Sequence, residues 1–197
     1  KEDIRRGTPA VLNEENIRQD FELSETSIRE GVNLATTYLQ FTSIYSPDFA
    51  PVSINDVLSE TAVHVKALAT GLKAVDFSVE LDLNREIGVK NLDASQLKMA
   101  LFNLCKNGVE ALVEYKVPNP KIRISSSAQN GRIVLVVSDN GPGIPPEIAN
   151  NLFVAFKTKK EGGTGLGLTI TKKIVDVHGG TIKCYTDKKG TVFTITL

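Results

Sequence analysis

Cysteine is scarce in this sequence, which limits the kinds of protein it can encode. The 197 residues include only Cys105 and Cys184, which lack the Cys-x-x-Cys spacing of a zinc site and are too few for a disulfide framework. Free cysteine behaves as a small apolar residue, so both thiols are expected to be buried. The sequence therefore excludes a disulfide-stapled fold and favours a reducing, cytoplasmic compartment.

Excess charge and long apolar runs are absent as well. Lys plus Arg and Asp plus Glu both total 23, so bulk electrostatics does not recruit nucleic acid or an anionic membrane surface. No apolar run approaches the roughly 20 residues that cross a bilayer, and the charged start at residues 1–3 does not resemble a signal peptide. We expect no nucleic-acid partner and no membrane contact by this segment. Because the chain starts without Met, we expect it to continue a longer protein.

A long helix is predicted near the start of the chain. Over residues 17–44, apolar residues recur at spacings of three and four, which predicts an amphipathic helix of roughly 25 residues and about 38 Å. The rest of the chain is too compact to cover such a stripe, so a partner helix is expected. Pro47 and Pro51 end the helix, and the residues around them are predicted to link a helical segment, residues 1–50, to a domain, residues 51–197.

The domain alternates between helical and strand patterns. Helices are predicted at residues 54–72, 93–115 and 167–177, and strands at residues 77–83, 122–126, 133–138, 181–186 and 191–197. The order is helix, strand, helix, two strands, helix, two strands. It predicts an α+β fold, a two-layer α/β sandwich with helices on one face of a mixed sheet.

Two polar segments of the domain are suited to a nucleotide. Asn103 and Asn107 lie four residues apart on a predicted helix, so both amides project from one face, and an amide oxygen is a suitable Mg²⁺ ligand. Asp139 ends a strand and precedes Gly141 and Gly143. Its carboxylate can accept a hydrogen bond from an exocyclic amine, and the glycines let the backbone approach a planar base. Taken singly, each motif is also explained as an ordinary helix surface or a tight turn.

A third segment, residues 162–168, is rich in glycine and leads directly into a helix. The N–H groups and positive end of that helix can hold a polyphosphate, and the lysine-rich residues 157–160 just before it can neutralise phosphate charge. A glycine run of this kind can also be a flexible loop. The three segments in this order indicate a nucleotide site.

Together the segments resemble the N box, G1 box and G2 box of the GHKL ATPases, and residues 151–180 resemble the sensor histidine kinases in particular. Phe153 and Phe156 match the F box of those kinases, Lys159 matches the end of its Thr-Thr-Lys, and residues 178–180 match the closing His-Gly-Gly. The resemblance implies the Bergerat ATP-binding fold. The long helix before the domain is similar to the second helix of a histidine kinase dimerisation hairpin.

The resemblance also implies roles for individual residues. Asn107 would coordinate Mg²⁺, Asn103 would support the phosphates, and Asp139 would bind the adenine amine. Residues 156–163 would form a short ATP lid. The remaining pocket residues that it implies are Gly141, Gly143, Ile144, Phe156, Thr158, Lys159, Gly163, Thr164, Gly165, Leu166, Gly167 and Leu168.

Two positions depart from the usual family pattern. Gly108 follows the magnesium-binding Asn where alanine is usual, which costs roughly 1 kcal/mol of helix propensity and lets the backbone lie nearer the ligand. Lys157-Thr158 stands where a Thr-Thr pair is usual. Beside the Asn pair, Lys106 and Glu110 are candidates for contacting phosphate or orienting a proton, with an exposed ion pair as the equal alternative.

The resemblance implies a protein histidine kinase that uses ATP and Mg²⁺, forms a homodimer through the N-terminal helix and passes phosphate to a response regulator receiver domain. Gyrase-like, MutL-like and Hsp90-like relatives carry Glu at the position of Asn103, and an amide cannot take a proton from water. Transfer to another group is therefore favoured over hydrolysis. A serine-directed kinase and a nucleotide-gated adaptor remain open as alternatives.

Neither histidine has the setting of a phosphate acceptor. His64 is followed by Val65, whereas the family's acceptor is followed by an acid, so a surface role is expected. His178 precedes two glycines at the end of a predicted helix, where capping is the simple role. The acceptor is expected upstream of Lys1 or on a partner protein.

Overall fold

The computed structural model describes residues 14–43, 46–149, 151–156 and 165–197. Its helices are α1 Glu14–Ser43, α2 Ile54–Gly71, α3 Ala94–Glu114, α4 Pro146–Ala149 and α5 Gly167–Val177. Its strands are β1 Ala50–Ser53, β2 Ser78–Leu83, β3 Val89–Leu92, β4 Lys121–Gln129, β5 Arg132–Asp139, β6 Thr181–Asp187 and β7 Gly190–Thr196. Within these ranges, no helix is both long and apolar enough to cross a membrane.

A five-stranded mixed sheet has the order β2-β4-β5-β7-β6. The pair β2–β4 is parallel, and the other neighbours are antiparallel. Alternate residues of β4, such as Ile122 and Ile124, are fully buried, whereas Arg123 between them is exposed. Because successive side chains of a strand point to opposite faces, the sheet has one face in the core and one facing solvent. This confirms the predicted α+β sandwich.

The core lies between that sheet face and helices α2, α3 and α5. Leu58 of α2, Leu101 and Leu104 of α3, Leu135 of β5 and Val175 of α5 belong to one cluster of buried residues. A smaller cluster, which includes Ala100 of α3 and Ile170 of α5, joins these two helices. The contact between α3 and α5 fixes how the Asn-bearing helix faces the glycine-rich segment.

Two short strands were not predicted from the sequence. Strands β1 and β3 pair antiparallel as a separate two-stranded sheet, with Ala50 opposite Leu92. The residues around Pro47 and Pro51 were expected to be a plain linker, but Ala50–Ser53 is a strand. A four-residue strand that contains proline has too little periodicity to be recognised, and its partner lies about 40 residues away in the sequence.

Polar and ring contacts hold Asp48 and Phe49, just before β1, against the domain. The backbone N–H of Asp48 donates to Asp93 Oδ2 over 3.0 Å, and the edge of one ring meets the face of the other between Phe49 and His178, with centroids 5.1 Å apart. Burial disfavours the charge of Asp93, but hydrogen bonds from the backbones of Gln96, Asp48 and Ser95 hold its pKa below the ordinary value. The segment just before β1 is therefore attached to the N-terminal end of α3.

His178 completes these contacts and confirms its predicted capping role. Its Nδ1 lies 2.8 Å from the carbonyl oxygen of Ile174, and its Nε2 accepts from the backbone N–H of Asp93 over 3.0 Å. Gln96 occupies the capping-box position three residues after Asp93, yet its Oε1 is buried without a partner in the described part of the chain. His178 thus takes the N–H group that a capping box would use.

We expect His178→Ala to lower the free energy of unfolding by about 1–3 kcal/mol, because it leaves the Asp93 N–H group without its acceptor. Urea unfolding followed by circular dichroism measures this. His64→Ala, on the exposed side of α2, is the matched control and is expected to change stability by less than about 0.5 kcal/mol. Equal effects of the two substitutions would show that the His178 contacts do not stabilise the fold.

Candidate functional site

Helix α3 presents the two candidate amides. It begins where the side chain of Asp93 accepts from the backbone N–H of Gln96 over 2.9 Å, a typical N-cap. Leu101, Leu104 and other apolar residues hold one side of the helix in the core, while Asn103 and Asn107 are partly exposed on another. Asn103 Nδ2 lies 3.4 Å from the carbonyl oxygen of Gly167, the first residue of α5. The first amide therefore faces the glycine-rich segment.

The carboxylate of Asp139 lies at the end of β5, opposite Thr191 of β7. Its Oδ1 accepts from the backbone N–H of Gly141 over 2.9 Å. Burial raises the pKa of this carboxyl above its ordinary value, although hydrogen bonds from Gly141 and Thr191 act in the opposite direction. A partly desolvated carboxylate is well suited to accept a hydrogen bond from an amine.

The loop after Asp139 is held against the turn between β6 and β7. Gly143 has a φ of +80°, which favours glycine, and a β-carbon there would lie 2.0 Å from the carbonyl oxygen of Asp187. The next backbone N–H, that of Ile144, donates to Thr186 Oγ1 over 2.7 Å. The Ile144 side chain packs against the main core cluster. These contacts fix the path of the loop beside the carboxylate.

A hydrogen bond joins the residues that flank positions 157–164. The backbone N–H of Phe156 donates to the carbonyl oxygen of Gly165 over 3.1 Å, so the residues on either side of 157–164 lie together. Leu166 is buried, and α5 begins at Gly167 with no side-chain cap. The N–H groups of a first helical turn have no acceptor within the helix, and they carry the positive end of its dipole. This helix start, next to Asn103, is a suitable place for a phosphate.

Several predicted residues have other surroundings or lie outside the described part. Thr158, Lys159, Gly163 and Thr164 lie outside the described residues. Leu168 packs against the main core, and Phe156 is 73% exposed.

Lys106 and Glu110 form an ion pair with Nζ and Oε1 3.7 Å apart. This is the ion pair expected as the alternative to a role in the site. Their role towards phosphate stays a prediction. Cys105 is buried as predicted, but Cys184 is only half-buried, because it lies on the edge strand β6.

Three residues that shape the site could not be predicted from the sequence. Thr186 and Thr191 bind the loop and the carboxylate from β6 and β7. Gly190 has a φ of +143°, and a β-carbon there would lie 2.0 Å from the carbonyl oxygen of Asp139. All three belong to the last hairpin, which reads as an ordinary turn. The register of β5 with β7 and of β7 with β6 brings them to the site.

The donor set fits a nucleotide-borne magnesium ion better than a metal held by protein alone. Within the described ranges, no group of three or more His, Cys, Asp or Glu side chains could hold a metal. Mg²⁺ commonly keeps several waters and takes its other ligands from one or two protein oxygens and the phosphates. The Asn107 amide is such an oxygen donor.

Known proteins identify the family. Residues 92–197, more than half of the chain, match the family described as "Histidine kinase-, DNA gyrase B-, and HSP90-like ATPase". The chain belongs to this family. Within it, the chain contains the catalytic ATP-binding domain of a two-component sensor histidine kinase.

Curated relatives of this catalytic domain are sensor kinases. The sensory histidine kinase/phosphatase NtrB of Rhodobacter capsulatus is 32% identical over 191 residues, 91% of this chain and 53% of that protein. The C4-dicarboxylate transport sensor protein DctB of Rhizobium meliloti is 41% identical over 102 residues, 52% of this chain and 16% of that protein. The chain therefore spans about half or less of the length of these relatives.

Solved structures share the fold of the catalytic domain. The nucleotide-free catalytic domain of histidine kinase ThkA has a TM-score of 0.66 at 30% identity, over 76% of this chain and 95% of that one. ThkA in complex with the response regulator TrrA has a TM-score of 0.66 at 25% identity, over 98% of this chain and 52% of that one. These matches confirm the predicted fold class.

Proposed function

We propose that this chain holds ATP between α3, the loop after Asp139 and the start of α5, and passes the γ-phosphoryl group to a histidine outside the chain. One observation carries the proposal most strongly. The Asn103 amide approaches the first residue of α5, so the amide-bearing helix face and the helix N-terminus border one space. Asp139, held between Gly141 and Thr191, supplies an acceptor for a base.

Each part of ATP has a partner of suitable chemistry in this arrangement. The exocyclic amine of adenine donates to the Asp139 carboxylate, which accepts hydrogen bonds when ionised. The phosphates lie at the start of α5, where N–H groups and the helix dipole favour negative charge. The Asn107 amide oxygen would hold Mg²⁺, which neutralises charge on the phosphates when it is bound.

Phosphoryl transfer is favoured over hydrolysis because Asn103 stands where a base for water would be needed. In the transfer step, the bond from the γ-phosphorus to its bridging oxygen breaks and ADP leaves with the electron pair. A bond forms from phosphorus to an imidazole nitrogen, whose proton goes to solvent. The chain's own residues position the nucleotide, and none of the proposed site residues is a base that activates water. Positioning of the reacting groups supplies most of the catalysis of phosphoryl transfer.

We also propose that α1 pairs with a second copy of the chain. Its described side chains leave a large apolar surface open, from 38% exposure at Ile17 to 74% at Phe21, and the remaining members are Leu23, Ile28, Val32 and Leu39. Most of them follow helical spacings of four and seven, as one face of a paired helix does. We expect a dimer in sedimentation experiments, and a monomer for Phe21→Glu combined with Ile28→Glu. A monomeric unmodified chain would contradict this proposal.

A receiver domain of a response regulator is the proposed final acceptor. The support is the likeness to ThkA, whose structure was solved in complex with the response regulator TrrA. The proposal concerns the whole protein, of which this chain is the ATP-binding part.

A transfer assay tests the proposed reaction. The chain is incubated with Mg²⁺, γ-labelled ATP and NtrB of Rhodobacter capsulatus whose own ATP site has been inactivated. We expect phosphate on NtrB that is labile in acid and stable in alkali, as a phosphorus–nitrogen bond is. Acid-stable phosphate would favour the serine-directed kinase instead. ATP that binds without any transfer would favour the nucleotide-gated adaptor.

A further inference from the structure

Gly108 lies on the side of α3 that packs closely against the sheet. A β-carbon built there would lie 2.7 Å from Ile122 Cδ1, 3.2 Å from Asp139 Cβ and 3.3 Å from Asp139 Oδ2. Carbon atoms in contact prefer about 3.5–4.0 Å, so the 2.7 Å separation would force the Ile122 side chain to move, whereas the two separations from Asp139 are tight contacts. The α3 backbone therefore lies directly against the carboxyl group that the proposed function assigns to adenine.

Two glycines confine that carboxylate from different sides. Gly141 donates its N–H to Oδ1, and a β-carbon there would lie 2.8 Å from this oxygen. Gly108 faces Oδ2. Because Oδ1 already accepts the Gly141 N–H, the position of Oδ2 governs how well the carboxylate can accept a further amine. A side chain at position 108 would lie against that oxygen.

Ile122 explains why glycine is found where the family usually has alanine. Its side chain is fully buried, and its δ-methyl occupies the volume that an alanine methyl at position 108 would need. Valine at position 122 would lack that methyl group. The two positions therefore have complementary volumes, and an exchange of one methyl group between them approximately conserves the total.

We propose that Gly108 and Ile122 act as a pair of positioning residues that set the Asp139 carboxylate for adenine, and so help to determine the preference for ATP over GTP. The proposal rests on the proposed nucleotide site. Adenine carries an amine where guanine carries a carbonyl oxygen, and an ionised carboxylate can only accept hydrogen bonds. A displaced carboxylate reduces binding of ATP while leaving the phosphate contacts that GTP shares.

Four variants and two nucleotides test the pair by calorimetric titration in the presence of Mg²⁺. The unmodified chain is expected to prefer ATP over GTP, and Gly108→Ala is expected to reduce that preference about tenfold or more. Gly108→Ala combined with Ile122→Val is expected to restore it. Ile122→Val alone is expected to lower the melting temperature slightly, because it removes one buried methyl group. Gly71→Ala, in a helix and with nothing within 4 Å of its β-carbon, is the control for helix propensity and is expected to leave the preference unchanged.

The outcomes separate the pair from the nucleotide site itself. Gly108→Ala that melts earlier but keeps the ATP preference would show a packing role only and overturn the proposal. If Gly108→Ala does not fold, the double variant tests the proposal instead. A double variant that restores neither folding nor the ATP preference would also overturn the proposal. An unmodified chain that binds neither nucleotide would contradict the proposed function, and the pair would fall with it.

Discussion

Replacing Gly143 by alanine is expected to lower the free energy of unfolding by about 2–6 kcal/mol and to abolish ATP binding. The backbone φ of +80° is strained for alanine, and the new β-carbon would lie 2.0 Å from the Asp187 carbonyl oxygen. Left-handed strain costs about 1–3 kcal/mol, and forced displacement of close-packed atoms adds about 1–3 kcal/mol. Urea unfolding and calorimetric titration with ATP measure the two effects.

Gly131→Ala is a matched control for this substitution. Its φ is +76°, almost the same strain, but a β-carbon there would meet nothing within 4 Å. It should cost about 1 kcal/mol and leave ATP binding unchanged, because the turn between β4 and β5 is not part of the site. If the two variants lost equal stability, the loop after Asp139 would not be pressed against the β6–β7 turn as described.

Asp139→Asn is expected to weaken ATP binding at least tenfold, about 1.4 kcal/mol or more, without lowering the melting temperature. Asparagine keeps an oxygen for the Gly141 N–H but replaces the second acceptor by a donor, which faces the adenine amine unfavourably. Stability should change little near neutral pH, because removing a carboxylate whose charge burial disfavours offsets the loss of hydrogen bonding from Thr191. Titration calorimetry and thermal unfolding measure the two quantities.

The pH dependence of stability gives this prediction a definite sign. Because the folded-state pKa of Asp139 is raised above 3.8, the stability that its protonation contributes is fully present below that pH. It is lost as the pH rises through the folded-state pKa. The melting temperature of Asp139→Asn relative to the unmodified chain should therefore increase from acidic to neutral pH. A relative melting temperature that falls over this range would contradict the buried, ionised carboxylate.

Much of the architecture follows from sequence periodicity. Helix α5 begins and ends as predicted at Gly167 and Val177, because glycine precedes a strongly amphipathic stretch and His178-Gly179 ends it. The strands of the large sheet were also predicted to within a few residues. The short pair β1 and β3 was missed because four residues carry almost no pattern, and their pairing depends on contacts distant in sequence.

The candidate site was predictable only where chemistry and spacing coincide in one segment. Asn103, Asn107 and Asp139 could be found in this way, because each lies in a short motif of its own. Thr186 and Ile122 could not, since each reaches the site only through strand register or helix packing. Gly108 is recognisable in the sequence as a departure from the family. Its close approach to the δ-methyl group of Ile122 on β4 is visible only in the structure.

Amide chemical-shift mapping by NMR, with the Mg²⁺-loaded non-hydrolysable analogue AMPPNP, would locate the nucleotide site on this chain. We expect the largest shifts at Asn107 of α3, Asp139 at the end of β5, Gly143 in the loop after it and Gly167 of α5, which border the proposed pocket. Arg123, on the solvent face of the sheet, should shift little. Shifts centred on that outer face, or none at millimolar nucleotide, would contradict an ATP site between α3, the loop after Asp139 and the start of α5.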